Sequence, residues 1–188
     1  MEDTLIFVDN GFFKLVKDNF EKKSGKRKKL LQTFRNIAQK ENLNLKHLFF
    51  YYAPPYQDKE ASEKENKLMK DYSLIKKMIS GKGWASFREG RCQRLKVDGK
   101  YKYAQKGVDI LLVTDLMRFE RKFPDVKKLI LVACDSDFVP VIEQLKKEGV
   151  EVILWTYFDR KRNSPFSRYN ELLKTCSRWV KLKSEDFD

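Results

Sequence analysis

The stretch LILVACDSDFVPVIEQLKKEGVEVILW, residues 129–155, holds two apolar runs separated by a segment of helical spacing. The first run begins at Lys128, reaches Cys134 and stops at Asp135-Ser136-Asp137. A continuous apolar run of this length fits a strand covered on both faces, as in a parallel sheet. Residues 137–148 then read as a helix closed by Gly149, and VEVILWTY, 150–157, reads as the next strand. Strands alternating with helices predict an α/β fold with a mostly parallel sheet. The question this stretch raises is why a buried strand should end on two carboxylates.

Outward from this unit the same alternation recurs. TLIFVD, 4–9, is an apolar run ending in Asp9, and Asn10 can cap a helix that starts near Gly11. Residues 21–29, EKKSGKRKK, read as a polar loop leading into a basic helix with Leu30, Leu31, Phe34, Ile37 and Ala38 on one face. LKHLFFYYA, 45–53, is an aromatic strand stopped by Pro54-Pro55. A helix is expected over 58–80, with Leu68, Tyr72, Ile75 and Ile79 as its apolar stripe. Glycines then punctuate 81–106, which predicts short strands or a hairpin. A helix follows over 107–123, another over 166–174, and a last short strand, RWVKL, at 178–182. With no linker, repeat or low-complexity segment, residues 1–188 are expected to form one domain.

The chain carries 40 Lys and Arg against 27 Asp and Glu, a formal charge of +13. That balance favours polyanionic partners, nucleic acid first and a membrane surface second. No apolar run is long enough to span a bilayer, and MEDTLIFVDN lacks the basic start of a signal peptide. Cys92, Cys134 and Cys176 are widely spaced and there is a single histidine, His47, so neither a disulfide framework nor a zinc site is indicated. A reducing, cytoplasmic setting fits this cysteine usage. His47 lies inside an apolar strand and reads as structural.

Ligand sites in open α/β sheets form beyond the carboxyl ends of strands, where the strand order switches. Two predicted strands end in acids, at Asp9 and Asp135; Asp137 follows one residue on, and Asp109 falls in the first turn of the helix at 107. If the two strands are neighbours, these four carboxylates meet at one edge. Close carboxylates repel and raise one another's pKa values. A hard divalent cation such as Mg²⁺, which accepts a few carboxylates and keeps waters, offsets that repulsion. One or two such ions can activate water and stabilise the leaving oxygen of a phosphodiester. Each acid also has a plainer reading: Asp9 with Asn10, and Ser136 with Asp137, as helix caps, and Asp109 as a partner of the helix dipole. Asp115 lies about 240° round an ideal helix from Asp109, so it is expected to support the cluster or form a salt bridge rather than share a face with Asp109.

Between residues 81 and 106 there are eight basic side chains and two acidic ones. Arg88, Arg91, Arg94, Lys102 and Lys106 interleave with Tyr101 and Tyr103, a composition that suits single strands because bases stack on rings while cations hold phosphates. Lys106, just before the helix that carries Asp109, is the strongest single candidate for a phosphate contact. Trp84 and Phe87 read instead as core residues of short strands. Two further basic zones, 22–29 and 160–183, are also candidate surfaces, although charge runs are commonly just solvated faces.

FVDNGFF at 7–13, QKGVDILLVTDL at 105–116 and CDSDFVPVIEQLKKEGVEVILW at 134–155 resemble, in this order, the motifs of the NYN domain. More narrowly they resemble its LabA-like (DUF88) branch within the PIN-like nuclease superfamily. SFREGRCQRL and YNELLKTCSRWVKL extend the likeness over nearly the whole chain. The resemblance implies a PIN-like three-layer α/β/α sandwich and a ribonuclease dependent on Mg²⁺ or Mn²⁺. It places the metal-binding and catalytic acids on Asp9, Asp109, Asp135 and Asp137, with Asn10, Ser136 and Asp115 supporting them. One departure is visible: Ala133-Cys134 stands where the family's motif has Ser-Gly.

The leading expectation is thus a metal-dependent endoribonuclease acting on single-stranded or structured RNA. The alternatives are a non-catalytic RNA-binding or assembly module, in which the aspartates are caps, and a small-substrate phosphatase. The last is weakened because FVDNG lacks the second Asp of a DxD nucleophile motif. The sequence leaves a homodimer open.

Overall fold

The computed structural model describes residues 1–25, 29–159, 166 and 170–188. The basic segments at 26–28, 160–165 and 167–169, which belong to two of the candidate surfaces, lie outside the described residues. Along the chain run β1 (Glu2–Asp9), α1 (Asn10–Ser24), α2 (Leu30–Lys40), β2 (Leu43–Tyr52), α3 (Glu63–Ser80), β3 (Ala85–Glu89), β4 (Arg91–Val97), β5 (Lys100–Lys106) and α4 (Val108–Leu116). They are followed by β6 (Lys128–Val132), α5 (Val139–Lys147), β7 (Glu151–Thr156), α6 (Asn170–Thr175) and β8 (Arg178–Lys181). Six of these strands form one sheet in the order β3-β2-β1-β6-β7-β8, parallel throughout. β4 and β5 stand apart as an antiparallel hairpin.

Alternation along β1 divides the molecule into three layers. Ile6 and Val8 point to one face, where Phe12, Phe13, Val16 and Phe20 of α1, Phe34 and Ile37 of α2 and Ile79 of α3 cover them. Leu5 and Phe7 point to the other, under Leu112 and Leu116 of α4, Ile142 and Leu145 of α5 and Leu172 of α6. The expected α/β/α sandwich is thus built from a strand that is apolar on both sides.

Several boundaries differ from the sequence reading, each for a local reason. The strand at 128 ends at Val132, because the Asp135 carboxylate accepts the Asp137 N–H at 2.9 Å and turns the chain into a 3₁₀ segment, Ser136–Phe138. α5 starts only after it, with Pro140 in its first turn. The helix expected over 107–123 stops at Leu116; a 3₁₀ turn, Phe119–Arg121, then redirects the chain so that Phe119 and Phe123 enter the core. The 58–80 helix begins at Glu63, where Ser62 and Glu65 form a reciprocal capping box. The tail adds a feature with no clear sequence signal. Phe187 packs on Phe13 and Phe20, and the buried Asp186 accepts from Lys40 Nζ at 2.5 Å and from the Lys183 N–H at 2.6 Å.

The hairpin is fastened to the sheet at its base. Gly90 donates its N–H to Tyr52 O at 3.0 Å. A Cβ there would meet Val108 Cγ2 at 2.7 Å and Lys106 O at 2.8 Å, so β3 can pass the start of α4 only with glycine. Gly83, by contrast, has open space around it. Gly90→Ala is expected to cost on the order of 1–3 kcal/mol in chemical denaturation through overpacking, with Gly83→Ala leaving the midpoint nearly unchanged.

Candidate active site

β1 leads through α1 and α2 to β2 on one side, while β6 pairs with it on the other, so the strand order reverses between β1 and β6. Their register runs from Thr4↔Lys128 to Val8↔Val132, which brings Asp9 and Asp135 out at the same edge of the sheet. Such a switch point is where open α/β sheets place ligands. Asp109 arrives from a different direction, in the first turn of α4, after Gly107 adopts φ +79° to cap that helix.

The electrostatics show that these groups sense one another. The half-buried Asp9 has its pKa raised to about 6, first by loss of hydration and then by the charges of Asp109 and Asp135, against the lowering effect of hydrogen bonds from the backbone. Asp109 is also raised, by desolvation and by Asp135 and Asp137. The Cys134 thiol is pushed up to about 12 by burial and by the same Asp9 and Asp135, so it stays neutral at the wall of the site. The four acids singled out in the sequence therefore share one electrostatic neighbourhood. No group of three or more His, Cys, Asp or Glu side chains among the described residues is arranged to hold a metal ion.

The capping roles are redistributed. Asp9, not Asn10, caps α1, accepting the Gly11 N–H at 2.8 Å. Asn10 is the first helical residue; it is buried, and its Nδ2 has no hydrogen-bond partner among the described residues. A buried amide without a partner calls for an explanation, and its place beside charged groups makes Asn10 a candidate functional residue. Asp135 caps the turn through its own carboxylate, and Ser136 is the first residue of that turn. Capping and membership of an acid cluster are thus both true of Asp9 and Asp135, because one carboxylate oxygen on the backbone leaves the other free.

Asp115 lies apart from the cluster. Arg88 Nε and Nη2 reach its two oxygens at 2.7 and 2.9 Å, and the Tyr51 hydroxyl donates at 2.9 Å. This ties β2, β3 and α4 together and occupies the Arg88 fork, which the sequence reading had offered to phosphate. The other candidates divide by strand alternation. Directly opposed residues of the hairpin share a face, so Arg94, Tyr103, Lys96, Tyr101 and Gln105 lie on one side and Arg91, Lys106, Leu95 and Lys102 on the other. His47 is a core residue, with Nε2 at 2.8 Å from Ser86 Oγ and its ring packed on Phe49 and Phe123. Trp84 and Phe87 pack against the core, as expected.

Two residues not among the sequence candidates bear on the site, Gln105 beside the acids and Tyr56 against the hairpin. A methyl group built on Gly11 would stand 3.1 Å from Asp9 Oδ1 and 3.6 Å from Gln105 Oε1, so the end of β5 reaches the acid edge. Tyr56 stacks on Tyr103 with ring centroids 4.6 Å apart. The period-2 pattern of KYKYAQK puts Gln105 on the face of Tyr101 and Tyr103 and could have signalled its role; nothing local marks Tyr56.

The sequence pattern of the NYN domain matches residues 6–182. A protein of unknown function from Vibrio parahaemolyticus has a similar structure, with a TM-score of 0.59 and 16% identity over 99% of this chain and 95% of that one. At that identity the likeness concerns the fold. No curated protein matches the sequence.

The raised pKa of Asp9 gives a stability prediction. In the unfolded chain the carboxyl ionises near its ordinary 3.8, whereas in the fold it holds its proton up to about 6. Ionised Asp9 therefore destabilises the fold increasingly from about pH 4 to pH 6, and by a constant amount above. Asn can accept the same Gly11 hydrogen bond without the charge. Asp9→Asn is expected to be the more stable protein at pH 8 without divalent ions, by on the order of 2–3 kcal/mol, and to lose that advantage below about pH 4, as read by denaturation at each pH. A second test concerns Arg88. Arg88→Ala strands the Asp115 carboxylate beside Tyr51 and should cost about 1–3 kcal/mol, a loss that a purely phosphate-binding arginine would not produce.

Proposed function

The chain belongs to the NYN domain family, and on that premise we propose that it is a metal-dependent endoribonuclease of the LabA-like branch. The family lies within the PIN-like nuclease superfamily, which points to hydrolysis of RNA phosphodiesters. The observation that carries the reading is the meeting of Asp9, Asp109 and Asp135 at the switch point between β1 and β6, where burial and the neighbouring carboxylates raise the pKa values of Asp9 and Asp109. Like charges held close together are costly, and a divalent cation removes that cost.

The donor set fits Mg²⁺ or Mn²⁺: all-oxygen, anionic, and flanked by the unsatisfied Asn10 amide. Asp9, Asp109, Asp135 and Asp137 would hold the ion. Such an ion supplies a Lewis acid that activates water and stabilises the leaving oxygen. The chain's own residues supply the rest. Asp9 and Asp135 are fixed by backbone hydrogen bonds at 2.8 and 2.9 Å, which orient their remaining oxygens. The Asn10 amide stands ready to support a carboxylate or the substrate, and the exposed Lys106 and Arg91 at the base of the hairpin offer charge to the RNA backbone. The half-buried Cys134 fills the place of a glycine as a neutral thiol. A cytoplasmic setting suits the three unpaired cysteines. Among the described residues no helix is long and apolar enough to cross a membrane.

A second reading, an RNA-binding or assembly module without catalysis, draws on the lack of a ready-made three-ligand group among the described residues. Turnover separates the two. Cleavage of labelled single-stranded RNA is expected with Mn²⁺ or Mg²⁺ and not with EDTA. Asp135→Asn keeps the cap, since Asn serves as well at that position, yet should slow cleavage about 100-fold or more. A wild-type rate in that variant would sink the nuclease mechanism.

A further inference from the structure

A cavity of about 500 Å³ opens between the segment that follows β2 and the β4–β5 hairpin. Ala53, Pro54, Leu68, Tyr56, Tyr103 and Gln105 line it. Its two ends differ. At one end Gln105 borders Gly11 and Asp9. At the other, Tyr103 and Tyr56 stack at 4.6 Å, and the Arg94 guanidinium lies 5.0 Å from the Tyr56 ring and 4.6 Å from that of Tyr101. Arg94 is held there by Asp58 at 3.2 Å. The result is a row of ring, ring, cation and ring where the segment after β2 meets one hairpin face, with Tyr101 and Tyr103 each about half exposed to solvent.

We infer that this cavity is a base-binding subsite that seats an unpaired nucleobase of the RNA beside the acid edge. This rests on the nuclease reading for the identity of the strand. Four features select a base as the occupant. Its lining sets the rings of Tyr56 and Tyr103 and the apolar Ala53, Pro54 and Leu68 beside the polar Gln105, Ser62, Lys64 and Glu65, a mixture that fixes a planar ligand's orientation. Tyr103, stacked on Tyr56 and still about half exposed, offers ring surface for stacking, and stacking accepts any base. The Gln105 amide carries both a donor and an acceptor, the pair that matches the N6/N7 edge of adenine. Finally, Arg94 and Lys96 share the hairpin face of Tyr103 and Gln105, so a base in the cavity has cations close by for its phosphates. A duplex cannot fill this cavity, because its bases are stacked and paired; the subsite selects single-stranded segments.

The test uses the full-length Asp135→Asn protein, so that binding is read without turnover. Anisotropy is measured with a labelled short oligoadenylate and with an abasic oligomer of the same length and backbone. The oligoadenylate is expected to bind about 10-fold or more tightly than the abasic oligomer. Tyr103→Ala should erase that difference while leaving abasic binding unchanged, and Tyr103→Trp should restore it. Circular dichroism verifies that the variants fold. Equal affinity of the parent protein for both oligomers, or equal weakening of both by Tyr103→Ala, overturns the inference and leaves the groove to a protein segment. The two proposals fail separately. If wild-type protein cleaves RNA but shows no base-dependent affinity, only the subsite falls; base-dependent affinity lost in Tyr103→Ala without any metal-dependent cleavage sustains the subsite and removes the nuclease.

Discussion

Leu5, Ile6, Phe7 and Val8 are fully buried, and their strand is paired on both sides, by β2 and by β6. A slip of one residue would carry Leu5 and Phe7 to the face that now takes Ile6 and Val8, and all four side chains would lose their partners. Register is therefore held by packing on both faces at once. The position of Asp9 follows from it, since the residue after Val8 has nowhere to go but the carboxyl edge. Asp135 follows in the same way from the pairing of Val8 with Val132. The acid edge is a consequence of core packing, not a separately stabilised structure.

That same packing makes the edge electrostatically expensive. Burial is the largest cause of the raised Asp9 and Asp109 pKa values, with neighbouring carboxylates adding to it. A fold under selection for stability alone would place neutral caps there, since Asn or Ser satisfies a helix start equally well. Carboxylates at these positions store unfavourable charge that a proton or a cation relieves. The unpartnered Asn10 amide belongs to the same tension.

The hairpin supplies a second surface beside this edge. It leaves the sheet at Gly90 and returns at Gly107, two positions where a side chain would either collide or strain the backbone. Strand alternation then sorts its residues without further cost: aromatic rings, Arg94 and Gln105 towards the segment after β2, and Arg91, Lys102 and Lys106 away from it. Arg88, two residues before Gly90, is drawn instead into the ion pair with Asp115 that joins β3 to α4.

Much of this was legible in the chain. Apolar runs at 4–9, 128–134 and 150–157 announced parallel strands because burial on both faces forbids polar alternation, and acids at the ends of two of them marked the edge. Local pattern also separated His47, Trp84 and Phe87 from the surface aromatics. Boundaries were less legible: Asp135 ends its strand by capping a 3₁₀ turn, and Phe119 and Phe123 end a helix by turning into the core. The sequence by itself determined which strands are buried and which residues carry charge, since these depend on hydrophobicity and spacing along the chain. Only the tertiary structure decided that Asp9 and Asp135 are neighbours, that Asp115 takes Arg88, and that Tyr56 meets Tyr103. Those pairings join residues far apart in the chain, and such contacts are chosen by how whole layers pack, which no local pattern encodes.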